Sequence, residues 1–155
     1  MQNPTRTARR YWVIVASKNH VMHGVSSGIC QANHGKAAPL KRLSVGDGII
    51  YYSPKMEFGG EEKCQAFTAI GSVRGEAVYT YDMGGGFIPY RRDVTYFECV
   101  DAPILPLLND LSFIQDKKSW GFVFRFGFFE IQRPDFELIA RRMLSEEVYA
   151  RQNAG

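Results

Sequence analysis

The sequence predicts a single α+β domain around a small, barrel-like sheet of five to six strands with flanking helices. Three observations indicate this class. Short runs rich in β-branched and aromatic residues recur along the chain, aromatic residues make up 14% of its 155 residues, and an amphipathic stripe lies near its end. We expect the domain to span residues 10–146, between a disordered tail at 1–9 and a C-terminal tail at 147–155. A basic arm that reaches for phosphate is the alternative for residues 1–9.

The first strands carry the clearest signals. The run YWVIVA, residues 11–16, predicts a buried strand, and Ser17 is placed to cap a helix over residues 19–25. The turn at residues 46–48, Gly-Asp-Gly, then leads to a second strand over residues 49–53, which ends at a proline.

Alternating residues indicate a third strand over residues 64–73 and a further one over 77–81. The alternation predicts that Phe67, Ala69 and Val73 share one face of the third strand. It places Ala66, Thr68 and Ile70 on the opposite face.

The second half of the chain mixes strand and helix signals. Residues 93–100 are typical of a strand, and the prolines at 103 and 106 exclude a continuous helix between them. The run WGFVFRFGFFEI, residues 120–131, predicts a strand broken at Gly127. Pro134 suits the first turn of a helix, whose apolar stripe comprises Phe136, Ile139, Ala140 and Met143.

Cysteine usage and the chain's start indicate a cytoplasmic protein. Cys30, Cys64 and Cys99 are odd in number and far apart, which favours a reducing compartment. No apolar run is long enough for a signal peptide or a membrane span. We therefore expect no membrane partner.

Familiar catalytic motifs are missing, and the formal net charge of +3 at pH 7 suits an anionic partner without requiring one. His20 and His23 would share one helix face, with His34 or Cys30 as a further metal ligand, which leaves a metal-dependent nucleoside-acting enzyme as an alternative. We expect no metal, no cofactor and no catalytic activity.

Binding is the function that the remaining polar segments favour. Residues 17–20, 31–36 and 51–53 fall at strand ends or between strands, and they meet at one rim if the first two strands are neighbours. Amide side chains match the donor and acceptor spacing of a base edge, and tyrosine or tryptophan offers a flat face for stacking. A role for Gln31 and Asn33 in satisfying loop backbone is the equal alternative.

The segments YWVIVASKNHV, GICQANHGKAAPLKR, GDGIIYYSPK and QAFTAIGSV, with later ones such as GFIPYRRDV and DFELIA, give the chain a resemblance to the EVE domain family over residues 11–143. The family is PUA-like, so the resemblance implies a curved sheet or pseudo-barrel with flanking helices. EVE domains resemble YTH domains and are implicated in recognising modified cytosines. The resemblance therefore implies a pocket for a methylated or hydroxymethylated base in DNA or RNA.

Some motifs of the EVE family match this sequence, and others do not. Residues 31–33, QAN, stand where many EVE domains have a Q-A-R-N stretch, and residues 51–53, YYS, where they often have Tyr-His-Ser. Residues 16–19, ASKN, depart from the Lys-Ser-Glu-Pro that is frequent in the wider family. A neutral or basic group thus replaces an acidic acceptor, and the identity of the bound base is left open.

These expectations assign two sets of site residues. The predicted base pocket comprises Ser17, Asn19, His20, Gln31, Asn33, Tyr51, Tyr52, Ser53 and Trp120. The predicted phosphate contacts are Lys36, Lys41, Arg42, Lys55, Arg91 and Arg92. Trp120 is the first candidate for the stacking face, with a core position as its alternative, and Tyr52 is the second. A sensor of a small anion or nucleotide-like metabolite is the alternative function for the same pocket.

Overall fold

The computed structural model describes residues 8–153, so most of the predicted N-terminal tail, residues 1–7, lies outside the described range. Residues 8–153 contain seven strands: β1 (Tyr11–Val15), β2 (Ile29–Cys30), β3 (Gly48–Lys55), β4 (Lys63–Thr80), β5 (Tyr90–Tyr96), β6 (Ala102–Pro103) and β7 (Phe128–Ile131). The predicted mixed α+β class is confirmed, with one strand more than the upper number expected.

In the described part of the chain, four α-helices accompany the sheet: α1 (Lys18–Ser27), α2 (Ala37–Lys41), α3 (Arg133–Met143) and α4 (Glu146–Asn153). Helix α4 occupies the expected C-terminal tail from residue 147 to residue 153 and buries Val148 against the core, while residues 154–155 lie outside the described range. Within the described range, no helix is long and apolar enough to span a membrane.

The sheet is open and curved, with the strand order β2-β5-β4-β3-β1-β7 and β6 paired with β4. Strands β1 and β3 run parallel, whereas the other pairs are antiparallel. The two parallel strands therefore end at the same edge of the sheet, where the antiparallel β7 begins. Polar residues that follow β1 and β3 are brought together there.

The turn before β3 fixes this arrangement through a buried carboxylate. Asp47 accepts hydrogen bonds from the Trp12 indole nitrogen at 3.0 Å, the Ser44 amide at 2.9 Å and the Arg10 amide at 3.2 Å. A buried carboxylate is tolerated because these donors replace its hydration. The Gly46 φ of 92° supplies the left-handed geometry of the turn. The start of β3 is thereby tied to β1.

Two apolar cores lie on opposite faces of the sheet. Val13, Ile50 and Tyr52 pack into the first core, which α3 covers, and Trp12 and Tyr51 pack into the second. Adjacent residues of β1 and β3 thus alternate between cores, as the pleat of a strand requires. Because both faces are covered, these strands read as continuous apolar runs.

The predicted faces of the third strand are partly wrong. Phe67 and Ile70 both enter the first core, while Ala69 and Val73 enter the second. A register shift explains the change, because Tyr51 pairs with Ala69 but Tyr52 pairs with Phe67, which leaves Thr68 as the extra residue of a bulge. The predicted strands at 64–73 and 77–81 form one long strand, with a second irregularity between Val73 and Val78.

The predicted strand over residues 120–131 is wrong in its first part. Residues 120–126 form a 3-10 helix, and only β7 after Gly127 is extended. Gly127 has a φ of 74°, a geometry that favours glycine and separates the two elements. Phe124 is buried, whereas Phe122 and Phe126 are exposed. A strand covered on both faces would bury all three rings, so this pattern is not that of such a strand.

Candidate functional site

An open cleft of about 680 Å³ lies at the edge of the sheet where β1 and β3 end and β7 begins. Its walls come from the end of β1, the start of α1, the turn after β2, the loop after β3, the hairpin between β4 and β5, and the segment before β7. The lining residues are Val15, Ala16, Ser17, His20, Gln31, Ala32, Asn33, His34, Gly35, Pro54, Lys55, Glu57, Phe58, Gly59, Phe87, Phe124, Arg125 and Gly127.

Backbone hydrogen bonds extend the sheet into the floor of the cleft. The Val15 amide donates to the Gly127 carbonyl at 2.9 Å, and the Ala16 amide donates to the Tyr52 carbonyl at 3.1 Å. These bonds join the end of β1 to β3 on one side and to the segment before β7 on the other. The floor of the cleft is consequently part of the folded framework.

The turn after β2 has an unusual backbone. Asn33, His34 and Gly35 have φ values of 48°, 61° and 83°, which places three consecutive residues in the left-handed region. Amides of Gly35 and Lys36 both donate to the Ala32 carbonyl at 3.1 Å and close the turn. Left-handed geometry costs about 1–2 kcal/mol for an ordinary residue, and such strain often accompanies functional sites. The turn sets the Asn33 and His34 side chains along the cleft.

Asn33 fits closely against the segment before β7. A Cβ atom at position 127 would overlap Oδ1 of Asn33, and the backbone of Gly127 is left-handed as well. Two independent constraints thus favour glycine at this position. The close approach of Asn33 to Gly127 brings the turn after β2 next to the segment before β7.

Gln31 is held from both its backbone and its side chain. The backbone amide of Gln31 donates to the Tyr51 hydroxyl at 3.2 Å, and that hydroxyl donates to the backbone carbonyl of Gln31 at 3.0 Å. Burial raises the pKa of Tyr51, so the hydroxyl stays protonated and remains a donor. The side-chain Nε2 donates to Sδ of Met83 at 3.5 Å. Because a thioether is a weak acceptor, a ligand carbonyl would be a better partner for this amide.

Phenylalanine rings supply the flat surfaces of the cleft. Phe58 is 87% exposed in the loop after β3, and Phe87 projects from the hairpin between β4 and β5. The Tyr52 ring covers one face of the Phe124 ring, and the two stack with centroids 3.9 Å apart and planes at 18°. The His34 ring meets Phe58 edge-on at 6.3 Å. Flat rings and an imidazole therefore line the opening.

The charged and titratable groups of the cleft are few. Lys55 and Arg125 are basic, and Glu57 is acidic. Desolvation lowers the pKa of His20, and nearby His23 and His34 lower it further. The neutral imidazole of His20 is thus favoured at pH 7, where it offers one donor and one acceptor.

The structure brings five of the predicted site residues to the cleft. Ser17, His20, Gln31 and Asn33 line it as members of the predicted base pocket, and Lys55 lines it as a predicted phosphate contact. Their roles toward a ligand remain predictions.

Three predicted pocket residues are wrong because they are buried within β3 and do not line the cleft. Tyr51 belongs to the second core, and Tyr52 belongs to the first core at 1% exposure. The Ser53 hydroxyl is also buried, where it pairs with the Thr68 hydroxyl at 2.7 Å. Since both faces of β3 are covered over residues 48–53, these three side chains cannot reach a ligand.

Two further predicted pocket residues lie elsewhere. Trp120, the first candidate for the stacking face, packs against the first core and meets Phe124 edge-on at 6.4 Å. This is the core position that was the alternative for Trp120. Asn19 lines a neighbouring shallow groove with Glu61 and Glu62. Neither belongs to the lining of the cleft.

Most predicted phosphate contacts lie outside the cleft lining. Lys36 and Lys41 are exposed at the two ends of α2, and the Arg42 guanidinium lies 4.9 Å from the centroid of Trp12. Arg91 is buried beneath the Tyr81 ring at 4.0 Å.

Arg92 is wrong as a phosphate contact because its guanidinium is buried in backbone interactions. It donates to the carbonyls of Leu40 at 2.9 Å, Leu43 at 2.5 Å and Gly75 at 2.9 Å. These bonds anchor the segment around α2 to β4 and β5. The basic pair at 91 and 92 therefore does not form an exposed track.

Sequence reasoning missed Phe58, Phe87, Phe124 and Arg125. Two of them carried a usable signal: Phe58 is a lone aromatic residue in the polar stretch EFGGEE, and Phe87 directly follows three glycines. An isolated ring in a polar loop has no core to enter, which favours a binding role. Phe124 and Arg125 gave no such signal because their segment was interpreted as a strand.

The histidines do not gather into a metal site within residues 8–153. His20 and His34 line the cleft, but His23 does not. In this described part of the chain, no group of three or more histidine, cysteine or acidic side chains is arranged to hold a metal ion.

Comparison with known sequences gives one family. The EVE domain family model matches residues 10–142. A UPF0310 protein of Mesorhizobium japonicum is 51% identical over 146 residues, which cover 93% of this chain and 98% of the relative. A UPF0310 protein of Bacillus subtilis is 42% identical, with 86% of this chain and 91% of the relative covered.

Solved structures with low sequence identity share the fold. A Rhodopseudomonas palustris protein, Rpa0253, has a TM-score of 0.51 at 14% identity, over 86% of this chain and 92% of the other. A hypothetical protein from Leishmania major has a TM-score of 0.51 at 10% identity, over 86% of this chain and 94% of the other. At these identities the likeness extends to the fold alone.

Proposed function

Since this chain belongs to the EVE domain family, whose members are generally binding domains, we propose that its cleft binds a modified base in nucleic acid without catalysis. The base is methylated or hydroxymethylated. The observation that carries this proposal is the placement of three phenylalanine rings and two amide side chains around one open cleft of about 680 Å³.

The volume and the rings suit a planar heterocycle. Binding sites for small molecules commonly measure about 300–1,000 Å³ and are mostly apolar, with a few placed polar groups. Phe58 and Phe87 line the cleft from two different loops, and Phe124 stacks on Tyr52. Stacking of one base on an aromatic side chain is worth about 1–3 kcal/mol.

The amides and imidazoles suit the edge of that heterocycle. Gln31 and Asn33 each carry a donor and an acceptor, and the fixed backbone of the turn orients both. His20 adds a neutral ring with one donor and one acceptor. Edge contacts of this kind distinguish bases, whereas stacking does not.

The basic side chains suit the backbone of nucleic acid. Lys55 and Arg125 lie on two different walls of the cleft. Contacts to phosphate add affinity that falls as salt rises, by about one unit of salt slope for each contact.

Recognition of the modification would be graded. A methyl group buried in a fitted pocket contributes about 1 kcal/mol, so we expect about five- to tenfold preference over the unmodified base. A base within a duplex would first have to leave the stack, at a cost of a few kcal/mol, so single strands should bind more readily.

The test is a titration of labelled single-stranded DNA and RNA at low salt. Each strand carries one 5-methylcytosine, 5-hydroxymethylcytosine or N6-methyladenine, or no modification. Phe58→Ala should weaken binding by about 1–3 kcal/mol, because it removes a stacking face. Leu105→Ala is the matched control, since Leu105 is also exposed and apolar but lies outside the cleft lining.

Absence of binding to every strand by folded protein would refute the proposal. Equal losses for Phe58→Ala and Leu105→Ala would place any binding outside the cleft. If a free nucleotide competes as strongly as the corresponding oligonucleotide, the cleft is instead a sensor of a nucleotide-like metabolite.

A further inference from the structure

Two exposed phenylalanines stand beside the cleft on the 3-10 helix that precedes β7. Phe122 is 58% exposed and Phe126 is 61% exposed. Their ring centroids are 6.0 Å apart, and the rings are nearly perpendicular at 88°. Two large apolar rings in solvent are unfavourable for an isolated domain, and such patches commonly mark binding surfaces.

The geometry of the helix explains why Phe122 lies on the same outward side as Arg125. Residues three apart lie on the same side of a 3-10 helix, so Phe122 and Arg125 share one side. The Arg125 guanidinium accordingly lies 5.6 Å from the Phe122 centroid. Trp120, Val123 and Phe124 pack against the first core instead. The core therefore holds the helix, and its outward side is left to solvent.

The exposed rings are continuous with the cleft. Arg125 lines the cleft and also contacts Phe122, while Phe124, between the exposed rings in sequence, forms part of the cleft wall. We refer to Phe122, Arg125 and Phe126 as the aromatic ridge. A chain that places one group in the cleft passes next to this ridge if it leaves on that side.

From this placement we infer that the aromatic ridge stacks the base adjacent to the one in the cleft, so the protein binds single-stranded nucleic acid over at least two nucleotides. This inference rests on the function proposed above. Alternating basic and aromatic side chains are what non-specific single-strand binding uses, because every base has a face that can stack. The Arg125 charge lies where the phosphate between the two nucleotides would pass.

The experiment compares free nucleotides with oligonucleotides. The probes are nucleoside monophosphates of 5-methylcytosine, 5-hydroxymethylcytosine and N6-methyladenine, and short thymidine oligonucleotides with one such base at the centre. Wild-type protein should bind the best oligonucleotide about five- to hundredfold more tightly than the corresponding monophosphate. Phe122→Ala together with Phe126→Ala should remove most of that gain and leave monophosphate binding unchanged. Leu105→Ala should change neither affinity.

The outcomes separate the two proposals. If wild type binds the monophosphate but the ridge variant binds the oligonucleotide as tightly as wild type does, the ridge inference is overturned and the cleft proposal stands. If wild type binds neither probe, both are overturned. If the ridge variant loses affinity for monophosphate and oligonucleotide equally, the residues support the cleft and do not contact a second base. Because both rings are exposed, the variant should retain the wild-type unfolding midpoint, which far-UV circular dichroism checks.

Discussion

The tyrosines of β3 and the phenylalanines around the cleft show how different roles fall to similar side chains. Tyr51 and Tyr52 are almost fully buried, one in each core. Phe58, Phe122 and Phe126 are more than half exposed, although they have no hydroxyl group to satisfy in water. The more polar rings are therefore inside and the less polar rings outside. Residue type alone would suggest the reverse.

The difference follows from what surrounds each ring. Tyr51 is buried at little cost because its hydroxyl exchanges hydrogen bonds with the Gln31 backbone. Tyr52 stacks on Phe124 and so supports the cleft from behind. The exposed rings border the cleft and contribute little to the cores. Buried tyrosines thus build the site, and exposed phenylalanines are available to a ligand.

The largest expected effect is a loss of stability when a buried tyrosine is truncated. Tyr52→Ala should lower the free energy of unfolding by about 3–5 kcal/mol, because it leaves a large cavity against Phe67 and Phe124. Phe58→Ala should change it by less than about 0.5 kcal/mol, since Phe58 is exposed. Urea unfolding followed by tryptophan fluorescence measures both. Similar losses for the two variants would mean that the exposed rings also stabilise the fold.

An intermediate effect is expected from the hydroxyl that supports the cleft. Tyr51→Phe should cost about 1–3 kcal/mol of unfolding free energy, because the buried amide and carbonyl of Gln31 lose their partner. Tyr90→Phe is the matched control, as Tyr90 is exposed. Faster hydrogen exchange of the Gln31 amide in Tyr51→Phe would locate the loss. Unchanged stability and exchange would contradict a supporting role for Tyr51.

The smallest expected effect is on the pH dependence of stability, and it comes from His20, a polar residue of the cleft. Its pKa is lowered in the folded protein, so the unfolded chain binds a proton more readily as the pH falls through about 6.5. This residue should therefore lower stability below about pH 6.5 and have no such effect above about pH 7.5.

His20→Gln removes the titrating group and should lessen the loss of stability between about pH 8 and pH 5. Unfolding of both proteins at each pH gives the difference, and comparison within each pH cancels the carboxylates that titrate in both. A steeper loss in His20→Gln than in wild type would mean that the protonated histidine is stabilised in the cleft.

Much of the framework could be predicted from local pattern. The strand at residues 11–15, the turn before β3 and the amphipathic helix α3 all lie where composition and periodicity indicated. The same reasoning failed at residues 120–126, where β-type residues form a 3-10 helix. Aromatic residues satisfy either state, and packing against the first core decides between them.

The candidate site could be predicted only in part. Gln31 and Asn33 were found because amide side chains match a base edge and because they lie in a segment that resembles an EVE motif, and both line the cleft. Tyr52 and Trp120 were misplaced because the sequence does not say which aromatic rings the sheet covers. Phe58 and Phe87 come from loops distant in sequence, and only folding brings them to one cleft.

The sequence by itself determined the mixed α+β class, the buried strands β1 and β3, and the polar turn after β2, because these depend on local periodicity and on residues with special backbone needs. Only the tertiary structure decided which rings are covered, where the bulge at Thr68 reverses the faces of β4, and how Asn33 meets Gly127. Those features depend on contacts between residues far apart along the chain, which a local pattern does not contain.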